Sequence, residues 1–326
     1  MRILLAQNPL ELVTDGLDAE KLLSLRESLL RQFAGLTKQE QLLWLNNFEF
    51  IMTPDLKGLF KKLNRIRSYR SLGQQRGLLV GGPSGMGKTT CVNALLMMCE
   101  PEITNEVTVV PIVKVDAPAN NKSPRTLYRR IINSFGLSYS ASDSEEDLTE
   151  TAIAFLDACQ VELLIIDEIE HIKDHELKRK ILDLSNQTRG IPIICVSCNP
   201  MSWTEDDEEI KGRWNDYFPL ERYDQNKLGA LLTYLEILLP FSEPSRLDEF
   251  VIDTADNKNM EGPASFIYKV TKGILRDVMI LVRDASREAI IHNHTYIYMT
   301  TLEKAWKKIQ EKPNPRVGET EDSSEE

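Results

Sequence analysis

The sequence lacks the features of a secreted, membrane-spanning or zinc-stabilised protein. No run of eighteen or more apolar residues occurs in its 326 residues, so no transmembrane helix and no membrane partner are expected. Its five cysteines are an odd number in apolar surroundings, and only Cys195 and Cys198 have CxxC spacing. Without a second such pair, buried thiols are favoured over zinc or redox chemistry. The N-terminus has no cleavage site of small residues, which favours a cytoplasmic protein.

Basic residues are fewer than acidic ones, and the formal net charge is −11. Much of the acidic excess lies in three segments, at 142–150, 204–209 and 319–326. Removing the five acids of the last segment alone changes −11 to −6. Basic clusters occur elsewhere, at 61–70, 122–130 and 173–180. Because local patches rather than net charge decide binding to a phosphate backbone, nucleic acid is not excluded as a partner.

Strands and helices are expected to alternate between residues 71 and 223. The strand-like runs are a short apolar run at 76–82, a β-rich stretch at 108–118, an almost wholly apolar run at 161–170 that ends in acids, and an apolar run at 191–200. Such runs are typical of parallel strands covered on both faces. Helical spacing predicts an N-terminal lead-in at 1–70 and a helical lid at 224–311, and a polar composition predicts a disordered acidic tail at 312–326. The expected fold class is therefore α/β, a parallel sheet flanked by helices with a C-terminal helical lid.

A glycine-rich stretch follows the first apolar run. It fits GxxxxGK[ST] and stands between a predicted strand and a predicted helix. The glycines let backbone N–H groups turn toward phosphate oxygens beside the positive end of the helix. Lys88 is expected to reach the β- and γ-phosphates, and Thr89 to offer its hydroxyl to magnesium. The loop residues predicted to bind nucleotide are Gly82, Pro83, Ser84, Gly85, Met86, Gly87, Lys88, Thr89 and Thr90.

Two adjacent acids stand near the end of the apolar run at 161–170. Asp167 is predicted to bind nucleotide through magnesium, mostly by way of water, from a strand neighbouring that of the phosphate loop. Glu168, one residue on, is suited to polarise a water that attacks the γ-phosphate. This pair favours ATP hydrolysis over a small-molecule kinase, which does not need Glu168. ATP and Mg2+ are therefore the expected ligands.

The next predicted strand ends in a polar turn. Asn199 can orient the attacking water there, and Ser197 is the alternative. A purely structural turn at Asn199-Pro200 is also compatible with these residues.

The order of these motifs resembles that of AAA+ ATPases, which are P-loop NTPases with a helical lid. In that pattern an arginine finger lies at Lys211-Gly212-Arg213-Trp214. The resemblance implies that Arg213 enters the site of a neighbouring subunit, which requires a homo-oligomer. Residues 273–276 match the Gly-x-x-Arg of sensor two. The resemblance implies that Arg276 closes over the nucleotide of its own chain.

Longer segments are similar to the TniB/TnsC family of transposition regulators. They are the stretch 65–90, the sequence GRWNDYFPL followed by EILLP at 236–240, and the stretch 271–290. Relatives often carry Gly-Thr where this chain has Ser197-Cys198-Asn199, and their histidine comes one residue earlier than His171. The resemblance implies an ATP-dependent regulator that assembles on double-stranded DNA as a ring or helical filament. It would bridge a target-selecting protein and the transposase, and hydrolysis would dismantle it.

The resemblance also implies positions for DNA contacts. In related ATPases the loop and helix after the second strand face a central channel, which corresponds here to Lys122, Arg125 and Arg129. Lys173, after the two acids, is a further candidate. Contacts of lysine and arginine with backbone phosphates would be sequence-independent and salt-sensitive. An ordinary solvated helix face is the alternative for Arg129 and Arg130. A replication initiator or loader, or a signalling ATPase without a DNA role, also remains possible for the whole chain.

Overall fold

A computed structural model describes residues 19–46, 53–68, 77–104, 108–118, 123–188, 190–252 and 260–311. Lys122 and the tail predicted at 312–326 lie outside these ranges. The chain divides into two compact units, one of Phe50–Arg222 and one that combines Met1–Glu49 with Tyr223–Glu326.

The described residues form helices and strands that largely alternate in the middle of the chain. The helices are α1 (Ala19–Phe33), α2 (Lys38–Asn46), α3 (Pro54–Arg67), α4 (Lys88–Met98), α5 (Pro124–Ser134), α6 (Glu145–Ala158), α7 (His175–Gln187), α8 (Met201–Thr204), α9 (Glu208–Arg213), α10 (Gln225–Leu238), α11 (Pro263–Thr271), α12 (Leu275–Ile291) and α13 (Met299–Glu311). The strands are β1 (Gly77–Gly81), β2 (Glu102–Ile103), β3 (Thr108–Val109), β4 (Ile112–Asp116), β5 (Leu163–Asp167), β6 (Ile193–Ser197), β7 (Asp216–Pro219), β8 (Val251–Ile252) and β9 (Met260–Glu261).

A parallel sheet lies at the centre of the unit Phe50–Arg222, with its described strands in the order β4–β5–β6–β1–β7. Strands β1, β5 and β6 are buried along their whole length, as continuous apolar runs predict. The predicted parallel sheet flanked by helices is confirmed. One expectation was wrong, because β5 does not neighbour β1. Strand β6 lies between them and pairs with both.

The main core of this unit packs the sheet against α5, α6 and α7, through side chains such as Leu164, Ile131 and Ile181. It also includes Trp214, whose Nε1 donates to the carbonyl oxygen of Ile193 at 3.0 Å. The segment that carries the sequence GRWNDYFPL is therefore anchored to β6 through its tryptophan.

The predicted lead-in, residues 1–70, is divided between the two units. Helix α3 belongs to Phe50–Arg222, where Lys62 Nζ lies 2.6 Å from an oxygen of Asp216 and Arg67 pairs with Glu162. Helices α1 and α2 belong to the other unit, where α1 packs against α10 and α2 against α12. Hydrophobic spacing predicts helices in this region but not the elements they pack against.

Helices α1 and α2 supply donors to the C-terminal end of α10. Arg26 on α1 donates to the carbonyl oxygens of Ile237, Leu239 and Phe241 at 3.0, 2.7 and 2.8 Å. Trp44 on α2 donates to the carbonyl oxygen of Leu238 at 2.9 Å. Carbonyl groups at a helix end have no partner within the helix, so these two side chains cap α10.

The predicted helical lid is helical in α10 to α13 but is not wholly so. Strands β8 and β9 form an antiparallel pair within it, in which Val251 faces Glu261 and Ile252 faces Met260. Such two-residue strands are too short to show a periodicity in the sequence. Across the part of the chain that the structure describes, every helix is too short or too polar to cross a membrane.

We expect Arg26→Ala to loosen the end of α10, because three carbonyl groups lose a charged donor at a cost of about 2 kcal/mol. Hydrogen exchange measured by mass spectrometry should be faster in peptides that cover 234–242. The control is Arg31→Ala on the same helix, whose exposed side chain lies 3.7 Å from Glu27 and should contribute little. Equal exchange in the two variants would contradict a capping role for Arg26.

Candidate functional site

The glycine-rich loop joins β1 to α4 at an edge where the chain approaches itself closely. Gly82 has a φ of 147°, and a Cβ atom there would lie 2.0 Å from the carbonyl oxygen of Leu220. The N–H of Leu220 donates to Gly81 at 2.7 Å, which holds the end of β7 against the loop. Only glycine fits at position 82, and α4 begins at Lys88 with N–H groups that need acceptors.

Lys88 places a buried positive charge inside this loop. Its ammonium group donates to the carbonyl oxygens of Gly82 and Pro83 at 2.6 and 3.0 Å. Cys198 Sγ, from the turn after β6, lies 3.7 Å from the same nitrogen. The loop is therefore a concave turn with a cation at its centre, as phosphate binding requires.

Thr89 and Asp167 meet across the end of the sheet. Thr89 Oγ1 donates to Asp167 Oδ2 at 3.0 Å, and the N–H of Glu168 donates to Asp167 Oδ1 at 3.0 Å. Asp167 is buried at the end of β5. These two side chains fit magnesium, because Mg2+ takes oxygen ligands and is bound by few protein groups beside phosphates and water. Among the described residues, no group of three or more His, Cys, Asp or Glu could hold a metal ion.

Lys114 is a member of this cluster that sequence reasoning missed. Its Nζ lies 3.0 Å from Asp116 Oδ1 and 3.3 Å from Asp167 Oδ2. Burial lowers the pKa of Lys114, but the hydrogen bond to Asp116 and the charge of Asp167 outweigh burial and raise the pKa above its usual value. The available signal was a lone lysine within the apolar strand IVKVD at 112–116.

Glu168 directly follows the buried aspartate and reaches solvent. Its backbone is left-handed, with φ 57° and ψ 39°, a conformation uncommon for residues other than glycine and often found at functional sites. The side chain is 60% exposed, and its Oε2 lies 3.6 Å from His171 Nε2. The carboxylate is thus accessible to water.

The turn after β6 carries both residues that were predicted to orient the attacking water, and its geometry does not single out one of them. Ser197 is buried, and its hydroxyl accepts the N–H of Asn199 at 3.1 Å. Asn199 is exposed. The residue between them, Cys198, lies against Lys88 and donates its N–H to Glu170 Oε1 at 3.4 Å. The roles of Asn199 and Ser197 remain predictions.

Arg213 ends α9, and its guanidinium contacts its own chain. It donates to Ser185 Oγ at 3.3 Å and to Asn186 Oδ1 at 2.7 Å, both on α7. Burial lowers the pKa of Arg213, against an opposing effect of Glu209. The role of an arginine finger, which requires a second chain, stays a prediction.

Arg276 lies in the first turn of α12 and is exposed, with its Nε 3.3 Å from Asp277 Oδ1. The glycine of the same motif has a packing role. Gly273 has a φ of 71°, and a Cβ atom on it would lie 2.0 Å from the carbonyl oxygen of Tyr223. Gly273 therefore lets Tyr223, two residues before α10, approach the start of α12 closely, while Arg276 itself is exposed.

Two of the arginines predicted to bind DNA have partners near α5. Arg125 donates to the carbonyl oxygen of Asp143, and the guanidinium of Arg129 lies 4.9 Å from the centre of the Tyr139 ring. The Nε atoms of both arginines are buried without a hydrogen-bond partner. These side chains attach α5 to the acidic loop that follows it. They are therefore less available to bind DNA than the sequence suggested.

Arg130 and Lys173 differ in how accessible their side chains are. Arg130 donates to the carbonyl oxygens of Asp116 and Ala117 at 2.7 and 3.0 Å, so it closes the end of β4. Lys173 is exposed and forms no hydrogen bond or ion pair with any residue that the structure describes. Of the predicted DNA contacts with a described position, Lys173 is the most accessible.

The family model for the bacterial TniB protein matches residues 41–225 of this chain. Cdc6p from Pyrobaculum aerophilum is a similar solved structure, with a TM-score of 0.58, 12% identity and coverage of 81% of this chain and 69% of that one. The Aeropyrum pernix ORC1 protein, solved in complex with DNA, has a TM-score of 0.55 at 15% identity, covering 82% and 69%. The Aeropyrum pernix ORC2 protein, solved as ADPNP–ADP complexes, has 0.54 at 16%, covering 77% and 67%.

These similarities show the fold, which is that of AAA+ P-loop NTPases. Among curated protein sequences, none matches this chain.

We expect Gly82→Ala to weaken nucleotide binding at least about tenfold and to lower the melting temperature, because the added methyl group collides with the Leu220 carbonyl and strains the backbone. A fluorescent ATP analogue measures the affinity. Gly212→Ala in α9 is the matched control, since nothing lies within 4 Å of a Cβ atom there. Wild-type affinity in Gly82→Ala would contradict this account of the loop.

Proposed function

Because this chain belongs to the family of bacterial TniB proteins, we propose that it is an ATPase that assembles on double-stranded DNA and regulates transposition. Identical subunits form a ring or helical filament that links a target-selecting protein to the transposase, and ATP hydrolysis dismantles it. The observation that carries the proposal is the hydrogen bond between Thr89 and Asp167. It joins the phosphate loop to the acids that hydrolysis requires.

ATP is the substrate of the proposed reaction. Its phosphates accept N–H groups of the loop and of the start of α4, and Lys88 exchanges a carbonyl partner for a phosphate oxygen. Thr89 and Asp167 hold Mg2+, which neutralises charge on the phosphates when bound. Glu168 takes a proton from the attacking water, and Asn199 or Ser197 orients that water.

Two arginines complete the proposed chemistry. Arg213 neutralises charge on the phosphoryl group bound by the neighbouring subunit, and Arg276 acts on the nucleotide of its own chain. Arg213 has hydrogen bonds to Ser185 and Asn186 in its own chain. Exchanging these bonds for contacts with a γ-phosphate links subunit association to the nucleotide state.

DNA binding is proposed through Lys122, Arg125, Arg129 and Lys173. The Aeropyrum pernix ORC1 protein and Drosophila ORC, which have this fold, were solved with DNA, which supports the proposal. Contacts with backbone phosphates carry no sequence information. Lys173 needs no rearrangement to make such a contact, whereas Arg125 and Arg129 would first leave their present partners.

We expect Glu168→Gln to bind ATP but to hydrolyse it at least about 100-fold more slowly, because an amide cannot accept the proton of water. Electron microscopy with ATP and duplex DNA should then show persistent assemblies along the DNA. Lys88→Ala, which lacks the phosphate-binding cation, should bind no nucleotide and form no assemblies.

Two results would contradict different parts of the proposal. Normal turnover in Glu168→Gln would remove Glu168 from catalysis. ATP-dependent particles that ignore DNA would favour a signalling ATPase over a transposition regulator.

We expect Lys173→Ala to weaken binding to duplex DNA equally for all sequences and to reduce the slope of log affinity against log salt by about 1, because one phosphate contact is lost. Fluorescence anisotropy at several salt concentrations measures both quantities. The control is Lys307→Ala, another exposed lysine, 4.0 Å from Glu311 on α13. An unchanged slope in Lys173→Ala would mean that Lys173 does not contact a DNA phosphate.

A further inference from the structure

We infer that Lys114, which is held by Asp116, offsets the charge of Asp167 so that this site takes a divalent cation only together with nucleotide. The inference rests on the proposed function in one respect, namely that Asp167 is the magnesium-binding carboxylate. It makes Lys114 a positioning residue that controls when the cation binds.

Three charged groups meet where β4 and β5 end. Asp116 and Asp167 are register partners on these parallel strands, so their carboxyl groups stand side by side at one end of the sheet. Lys114 lies two residues before Asp116, hence on the same face of β4. Its ammonium group reaches both acids, at 3.0 and 3.3 Å.

The lysine shares an atom with the predicted magnesium site. Asp167 Oδ2 is close to both Lys114 Nζ and the hydroxyl of Thr89. A cation that approached this oxygen would meet the ammonium group at short range. The two positive charges repel each other, and only a further source of negative charge offsets that repulsion.

Burial makes the effect of Lys114 on Asp167 strong. The side chains of Asp167 and Lys114 are 5% and 17% exposed, whereas that of Asp116 is 58% exposed. Water and salt screen buried charges less than exposed ones. The charge of Lys114 therefore acts mainly on Asp167, while Asp116 fixes the lysine from the solvent side.

The formal charges of the three groups sum to −1, from two carboxylates and one ammonium. Two carboxylates without the lysine would give −2, which is more attractive to a divalent cation by itself. With the sum at −1, the three groups attract a divalent cation less, and the phosphates of the nucleotide supply the further negative charge that its binding requires. Free Mg2+ is thereby kept from the loop until nucleotide is present.

The test measures Mn2+ binding to the full-length protein without nucleotide, by electron paramagnetic resonance of the free ion. The wild type is expected to bind Mn2+ more weakly than about 1 mM. Lys114→Met has a side chain of similar length without the charge, and we expect it to bind Mn2+ at least about tenfold more tightly. Adding Asp167→Asn to that variant should abolish the gain.

Charge restoration separates this role from a merely structural one. The double variant Lys114→Met with Asp116→Asn returns the sum to −1 and should bind Mn2+ more weakly than Lys114→Met alone, because one carboxylate fewer attracts the ion. Lys114→Arg keeps the charge and should behave as wild type. Lys180→Met, which removes a lysine 2.9 Å from Glu145 in the same unit, is the matched control and should change nothing. Thermal melting verifies that each variant is folded.

Three outcomes would overturn the inference. They are unchanged Mn2+ affinity in folded Lys114→Met, a double variant that binds as tightly as the single one, and a gain that survives Asp167→Asn. The measurement uses neither DNA nor ATP turnover. A failure of the transposition proposal would therefore leave these results unaffected, and a failure here would leave DNA-dependent assembly to its own test.

Discussion

The hydrogen bond from Thr89 to Asp167 is the contact around which the proposed nucleotide site is built. The strands that carry the two halves of the site are not neighbours, since β6 separates β1 from β5 by two strand spacings, roughly 10 Å. Thr89 closes that gap because it comes from the first turn of α4 rather than from the strand. Lys88 directly precedes Thr89 and Glu168 directly follows Asp167, so both lie beside this contact.

A buried carboxylate is tolerated at this position because its oxygens are satisfied. An isolated ionised group in the interior would be costly. Asp167 instead accepts from Thr89 and from the N–H of Glu168 and pairs with Lys114. The left-handed backbone at Glu168 then turns the next carboxylate outward, from a buried position to one that water reaches. Two adjacent acids thereby acquire opposite environments.

The fold was predictable where the signal is local. Continuous apolar runs predicted the parallel sheet, and the spacing of the glycines and Lys88 predicted the loop between β1 and α4. The position of β6 between β1 and β5 could not be predicted, because strand order depends on tertiary packing. For the same reason the sequence did not reveal that Arg213 contacts Ser185, or that α1 and α2 belong with the C-terminal helices. Lys114 was missed because a charge inside a strand has no regular pattern.

The caps on α10 have a consequence for synthesis on the ribosome. Helix α1 leaves the exit tunnel first, yet the carbonyl groups that Arg26 binds lie 211 to 215 residues further along the chain. At translation rates of about 5–20 residues per second, the nascent helix waits roughly 10 to 40 s for its partners. During that interval the intervening unit Phe50–Arg222 can emerge and fold.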